Sequence, residues 1–288
     1  MTRSVTMLAP AKINLFLQIL GKREDGYHEI YSLIQAVDIY DTLTVTESDS
    51  GISLVCDDPN LPCDSSNLAW RAAKLMQDKA KLETGVAIEL TKRIPHGAGL
   101  GGGSSDAAAV MKAINQLFGL NLGAAQLAVW GAELGSDVPF FFSEGAALVS
   151  GRGDIVAPVE VFQQYFVLLI KPDFAISTKD AYQSLRLYLT KFSVKGHISL
   201  KTSGKEFFKT IHKLGNDFQR VVAHDHPGLE SCMTLLRNNG AAHVALSGSG
   251  SAFYGLFEQP PDFEFMDMIS SRFGWQVFSL KPVRLAQK

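Results

Sequence analysis

The chain has 288 residues, enough for two domains of ordinary size and a large buried core. Hydrophobic residues make up 46% and charged residues 19%, which excludes wholesale disorder, and 27 Lys and Arg against 29 Asp and Glu leave a net charge of −2, so no global positive field exists to hold a nucleic acid. The three cysteines, Cys56, Cys63 and Cys232, have no C-x-x-C spacing; they indicate neither a disulfide framework nor a zinc site and fit a reducing, cytoplasmic setting.

Along the chain, the apolar stretch behind Arg3 is interrupted by Lys12, Asn14 and Gln18, so it does not read as an export signal. Strands are expected at 13–19, 33–38, 43–46 and 52–55, short apolar or β-branched runs separated by polar turns. From Asn67 apolar residues recur at helical spacing (Leu68, Ala72, Leu75, Met76), with Asp64, Ser65 and Ser66 upstream as candidate caps. A strand at 86–90 leads into a glycine-rich run, followed by an Ala-rich helix at 106–118 and another at 124–134. Short strands are then expected at 140–142, 146–149 and 166–170, with a domain boundary within 157–163. The second half reads as helices at 179–189, 204–214, 217–224 and 227–238, strands at 242–246 and 252–257, a helix at 261–272 and a strand at 275–280. That ending implies an antiparallel or mixed sheet with helices on one face, an α+β layer. Two uncharged windows of membrane-spanning length, 113–132 and 238–257, are broken by Asn and Gln or by Gly and Ser, and no membrane partner is expected.

The most informative stretch runs from Lys92 to Asp106. Five of its residues between Gly97 and Gly103 are glycine, between a strand and a helix. Removing Cβ atoms lets main-chain N–H groups approach a phosphate closely, with the helix dipole behind them. A flexible turn would lose the same backbone entropy for no gain. Gly97, Gly99 and Gly102 satisfy G-x-G-x-x-G, but the next segment is a helix with no acidic residue between Asp106 and Glu133, which excludes a dinucleotide fold. No lysine lies between Ile94 and Val110, which excludes a Walker loop, and the loop opens a helix rather than joining two strands, unlike a protein kinase.

Two further segments complete an ordered set: residues 9–17, containing Pro10-Ala-Lys-Ile-Asn14, and residues 240–253, containing Gly248-Ser-Gly-Ser251. With the glycine loop, this set resembles the GHMP kinases, small-molecule kinases named for galactose, homoserine, mevalonate and phosphomevalonate. Gly21-Lys-Arg-Glu-Asp-Gly-Tyr-His28, Gly99-Leu-Gly-Gly-Gly-Ser-Ser105 and Leu134-Gly-Ser-Asp-Val-Pro139 narrow the resemblance to a branch whose acceptor is an alcohol bearing a cytidine diphosphate group. The resemblance implies an α+β, two-domain fold: a ribosomal protein S5 domain 2-like N-terminal domain, here residues 1–158, and a ferredoxin-like C-terminal domain, 159–288. It also implies ATP and Mg²⁺. A GHMP kinase for mevalonate or homoserine, and a noncatalytic ligand-binding member of the fold, are the alternatives.

Phosphoryl transfer needs positioning, charge neutralisation and an acceptor for the hydroxyl proton. The family pattern places a catalytic lysine at Lys12 and a catalytic aspartate at Asp137. Lys12 is an odd residue among Ile13, Leu15 and Phe16 unless it is paired or faces solvent, and Asp137 could equally cap the turn before Pro139. Gly99, Gly101, Gly102 and Gly103 are assigned to direct phosphate contact; Ala98 carries a Cβ and is not. Ser104 and Ser105 can donate to phosphate or cap the helix, and Ser105 is the candidate Mg²⁺ ligand. Asp106 suits the helix dipole but not a phosphate and is assigned a structural role. Asn67 and Lys92 are family-based candidates for the adenine pocket. On the acceptor side, Asn14 shares a strand face with Lys12. The resemblance places the cytidine on Tyr27 with His28 bonding the base, and Tyr182 as the opposite wall; ordinary packing is the alternative for both rings. His224 and His226 have no third ligand nearby and read as the loop before a helix rather than a metal pair.

Overall fold

The computed structural model describes residues 3–185 and 204–285. The N-terminal half is built on a long antiparallel hairpin, β1 (Ser4–Lys22) and β2 (His28–Ser48). Strands expected at 33–38 and 43–46 are one continuous β2, because Asp41, which reads as turn chemistry, is fully buried and bonded to backbone N–H groups from another segment. β1 likewise extends well beyond its expected run and bends where its register shifts at Pro10/Ala11 and Asn14/Phe16. β3 (Ile52–Cys56) pairs parallel with β4 (Gly85–Thr91), β4 pairs with the C-terminal half of β2, and β5 (Ala146–Ser150) and β6 (Ile155–Pro158) continue from its N-terminal half.

Three helices accompany this sheet: α1 (Leu68–Ala80), α2 (Gly102–Leu117) and α3 (Ala124–Gly131). α2 is the central one. Its Ala-rich face, Ala107–Ala109 with Val110 and Met111, is buried, and small side chains let it lie against β1 and α1. It starts four residues before its expected beginning, because Gly101 takes the N-cap position in the left-handed region (φ +71°) and Gly102 and Gly103 are already helical. Val138–Phe142 is a 3-10 turn rather than a strand. Pro139 fixes φ for a helical turn, and all of Phe140–Phe142 are buried, which is not the alternation of a half-exposed strand.

The C-terminal half forms a second, four-stranded antiparallel sheet in the order β10 (Gln276–Leu280), β7 (Phe166–Lys171), β9 (Phe253–Phe257), β8 (His243–Leu246). Helices α4 (Thr178–Leu185), α5 (Gly204–Leu214), α6 (Phe218–Asp225) and α7 (Pro227–Asn238) connect β7 to β8, and α8 (Phe263–Phe273) connects β9 to β10. Reducing the connecting helices to one layer gives β-α-β-β-α-β, the ferredoxin-like plan. Of the helix expected at 179–189, the part after Leu185 lies outside the described residues. β6 ends at Pro158 and β7 begins at Phe166.

The halves are joined closely around the middle of β1. Leu17 N donates to Gly215 O and Leu17 O accepts from Asp217 N, both at 2.9 Å, and Ile19 N donates to Asp217 Oδ2 at 2.7 Å. Tyr254 of β9 donates its hydroxyl to Asn14 O at 2.7 Å. After β10 the chain returns to the first sheet, where Val283 N donates to Ala36 O and Gln35 Nε2 donates to Val283 O, each at 3.0 Å.

Candidate active site

The glycine loop takes its shape from three left-handed positions, Gly97, Gly99 and Gly101 (φ +64°, +75° and +71°). Close approach explains two of them further: a Cβ on Gly99 would stand 2.1 Å from Ser247 O, and one on Gly101 would stand 2.9 Å from Lys12 Cγ. The loop is therefore gripped on one side by β1 and on the other by the β8–β9 connection. Lys12 N donates to Leu100 O (2.9 Å), Ser247 Oγ to Gly99 O (3.0 Å) and Ala252 N to Ala98 O (3.1 Å). Asn216 holds that connection by donating to Leu246 O and Gly248 O. Gly248–Ser251 is thus a hairpin connection that also walls the cleft. No side chain caps α2, so neither Ser104 nor Ser105 serves as its N-cap.

Beside the loop opens a cleft of about 620 Å³ between the two halves. Lys12 sits on its floor, only 3% exposed, which removes the solvent-facing reading. Its Nζ donates to Asn14 Oδ1 at 2.6 Å and lies 3.7 Å from Asp137 Oδ2. Asn14 is held in turn, donating to Ser32 Oγ (2.9 Å), which donates to Phe16 O (2.5 Å). Asp137 precedes the 3-10 turn but makes no capping hydrogen bond with its side chain. Its carboxylate, 38% exposed, is turned to the cleft instead. An ammonium beside a carboxylate at this distance attracts and orients it.

The far end of the cleft is aromatic. Tyr27 stands 54% exposed at the β1–β2 turn, and the Arg152 guanidinium lies 5.3 Å over its ring. His28 is stacked on Tyr182, which reaches in from α4, with centroids 4.7 Å apart and planes at 17°. Tyr182 is backed edge-on by Phe218 (4.8 Å, 85°). Burial, with the charge of Asp137, pushes the Tyr182 phenol up to about 12, so it stays a neutral ring with a donor hydroxyl.

Lys12, Asn14, Tyr27, His28, Gly99, Gly101, Ser104, Asp137 and Tyr182 all line this one cleft. Five other expected residues are placed differently. Asn67 caps α1, accepting from Ala69 N and donating to Pro62 O. Lys92 has its ammonium between Asp41 and Asp106. Ser105 is buried, with its Oγ away from the cleft lining. Gly102 packs a would-be Cβ against Ile94 Cγ2 at 3.2 Å, while Gly103 at the helix start is a looser fit. His226 stacks on Phe174 at the start of α7, and exposed His224 pairs with Asp225. Ser136 and Ser249, from two of the motifs quoted above, also line the cleft, as do Arg152 and Gln183, which sequence reasoning did not single out. Arg152 had one legible signal, a Gly-Arg-Gly-Asp turn that has no evident packing purpose. Among the described residues no group of three or more His, Cys, Asp or Glu could hold a metal ion alone, and no helix is long and apolar enough to cross a membrane.

A glycine-rich helix start, a buried lysine paired with a cleft-facing aspartate and a ferredoxin-like second half describe a small-molecule phosphotransferase. Family models for the GHMP kinases N terminal domain and the GHMP kinases C terminal match residues 67–145 and 200–267, and the chain belongs to the GHMP kinase family, whose members use ATP. Within that family it is 40% identical to the 4-diphosphocytidyl-2-C-methyl-D-erythritol kinase of Syntrophus aciditrophicus, over 96% of this chain and 99% of that one. It is also 40% identical to the enzyme of the same name from Thermodesulfovibrio yellowstonii, over 90% and 91%. A crystal structure of 4-(cytidine 5'-diphospho)-2C-methyl-D-erythritol kinase superposes with a TM-score of 0.75 at 30% identity, covering 96% of this chain and 99% of that one. A homoserine kinase from Cytophaga hutchinsonii shares the fold, with a TM-score of 0.73 at 21% identity over 99% and 96% of the chains.

Proposed function

We propose that the chain transfers the γ-phosphoryl group of ATP to the 2-hydroxyl of 4-diphosphocytidyl-2-C-methyl-D-erythritol, a step of the non-mevalonate route to isoprenoid precursors. The observation that carries this reading is that the Lys12–Asp137 pair lies in one cleft with the glycine loop and the Tyr27, His28 and Tyr182 rings. Gly99, Gly101, Gly102 and Gly103, with Ser104, cradle the phosphates through main-chain N–H groups and one hydroxyl. Tyr27 and Tyr182 flank the cytosine, His28 bonds its edge, and Arg152 offers charge to the diphosphate.

In this arrangement Asp137 accepts the proton of the 2-hydroxyl as its oxygen attacks the γ-phosphorus and the bond to the ADP oxygen breaks. Lys12, its amine held by Asn14, lies close enough to neutralise charge on both the attacking oxygen and the transferring group. The Asp137 carboxylate and the Ser104 hydroxyl are the cleft oxygens that would hold a Mg²⁺ ion, which would supply charge neutralisation to the triphosphate. The buried Ser105 is replaced by Ser104 in that role. Asn67, which caps α1, and Lys92, which is held between Asp41 and Asp106, are given no contact with the nucleotide in this reading.

The test is ADP release by the purified protein with the cytidylyl alcohol, mevalonate or homoserine as acceptor. Turnover with the cytidylyl alcohol alone is expected; equal or greater turnover with mevalonate or homoserine overturns the acceptor assignment, and release with none of them favours a noncatalytic binding protein.

A further inference from the structure

A chain of three buried hydrogen bonds runs behind Lys12, and its two ends fix the direction of every link. At one end Lys12 Nζ, an ammonium, can only donate, and it donates to Asn14 Oδ1 at 2.6 Å. At the other end Phe16 O, a carbonyl, can only accept, and it takes the Ser32 hydroxyl hydrogen at 2.5 Å. With that hydrogen committed, Ser32 Oγ meets Asn14 as an acceptor, and Asn14 Nδ2 donates to it at 2.9 Å. The amide therefore has one orientation that satisfies the chain. Flipped, its NH2 group would face the ammonium, donor against donor.

The sheet builds this chain. Lys12 and Asn14 share one face of β1, and Ser32 lies on β2 two residues from Ile34, the register partner of Asn14, which makes it the diagonal neighbour of Asn14 on the same face. The register then shifts between Asn14 and Phe16, where Leu15 is the extra residue of a bulge, and beyond it Ser32 sits opposite Leu17. The Asn14 main chain is anchored separately, since Tyr254 of β9 donates its hydroxyl to Asn14 O at 2.7 Å. What Ser32 adds is the rotation of the amide alone. Ser32 is fully buried and does not line the cleft, so it acts on a substrate only through Asn14 and Lys12, which do.

We propose that Ser32 is a positioning residue for phosphoryl transfer: its hydroxyl sets the Asn14 amide so that Oδ1 faces Lys12, and the amide aims the ammonium. An ammonium carries three hydrogens. One is held by Asn14 Oδ1 and Asp137 Oδ2 lies 3.7 Å away, so fixing the first directs the rest toward the cleft. Burial strengthens each link, because no solvent competes for the donors and the local dielectric is low. A bulge that merely needed its carbonyl satisfied would account for the Ser32 hydrogen, but not for an acceptor aimed at Asn14.

This inference rests on the proposed function, in which Lys12 acts at the transferring group. It is tested with a double-mutant cycle on the full chain, Ser32→Ala, Asn14→Ala and the pair, reading ADP release with MgATP and 4-diphosphocytidyl-2-C-methyl-D-erythritol. Ser32→Ala should lower kcat roughly 10- to 100-fold, the scale of a small misplacement of a catalytic group, while both KM values stay within about three-fold of wild type. In the Asn14→Ala background the same change should lower kcat by less than about two-fold, because no amide is left to orient. Ser32→Cys, close in size but a weak donor, goes through the same cycle with the same expected pattern, so the test does not depend on Ser32→Ala folding. An equal fall in kcat in both backgrounds, or a wild-type kcat in a folded Ser32 variant, overturns the proposal and leaves Ser32 a packing role. Wild type that phosphorylates no acceptor overturns the kinase reading itself and takes this proposal with it, a separate outcome.

Discussion

Gly97 and Gly99 offer a matched pair of substitutions that separates backbone strain from close approach. Both lie in the left-handed region, at φ +64° and +75°. Alanine there costs about 1–2 kcal/mol at either position. A Cβ on Gly97 meets nothing within 4 Å, but a Cβ on Gly99 stands 2.1 Å from Ser247 O. The carbonyl must withdraw by roughly 1 Å or more to reach ordinary contact. That withdrawal breaks the Ser247 Oγ to Gly99 O and Ala252 N to Ala98 O hydrogen bonds. Each is worth about 0.5–1.5 kcal/mol, so Gly99→Ala should cost about 2–5 kcal/mol against about 1–2 for Gly97→Ala. Chemical denaturation gives both values, and ATP titration should show the larger loss of affinity in Gly99→Ala. Equal destabilisation by the two variants would refute the idea that the loop is gripped by the β8–β9 connection.

Asp137→Asn should lower kcat by roughly 10²–10⁴-fold while ATP affinity stays equal or tightens, since the proton acceptor and one negative charge are removed together; a kcat within a few-fold of wild type would eliminate Asp137 as the base. Tyr182→Ala should raise the acceptor KM by roughly 5- to 150-fold, the equivalent of about 1–3 kcal/mol per stacked base, with ATP KM unchanged; equal changes in both constants would return Tyr182 to a packing role against Phe218. His243 is held neutral by complete burial, helped by the nearby charges of His212 and Arg237, and its imidazole is lowered to about 3. Because the unfolded chain binds a proton there first, its contribution to stability is full above the ordinary histidine value and is lost as pH falls from about 6.5 toward 3. Equilibrium unfolding across that range should show a slope of at most about 1.4 kcal/mol per pH unit from this group, reduced in His243→Phe; an unchanged slope in the variant would assign it to other groups.

The fold was legible where local pattern and tertiary environment agree. α5, α7 and the four strands of the second sheet lie within a residue or two of their expected places, because apolar periodicity and turn residues bracket them. It was not legible at Asp41, where a turn-forming residue is satisfied from a segment half a domain away, nor at Phe140–Phe142, where three aromatic residues in a row fit a buried 3-10 turn as well as a strand. The site divides in the same way. Glycines and a lysine in an apolar strand announce themselves, since each violates a local rule without evident structural return. Lys92 misleads for the converse reason: its position beside the loop suggests a ligand contact, and only the fold discloses the two carboxylates that claim it. Arg152 belongs to the cleft through the β5–β6 turn, a juxtaposition that spacing alone does not encode.

The central claim concerns which oxygen receives the phosphoryl group. In the proposed acceptor the 2-carbon carries a methyl group, so its hydroxyl is tertiary and the resulting ester has no proton on the carbinol carbon, whereas esters at the other free hydroxyls do. Phosphorus NMR of the product made by the purified protein from MgATP and 4-diphosphocytidyl-2-C-methyl-D-erythritol reads this directly. The expected result is one new phosphomonoester resonance without splitting by a carbinol proton, with the cytidylyl diphosphate intact. A split resonance, loss of the diphosphate or no new ester would contradict the assignment.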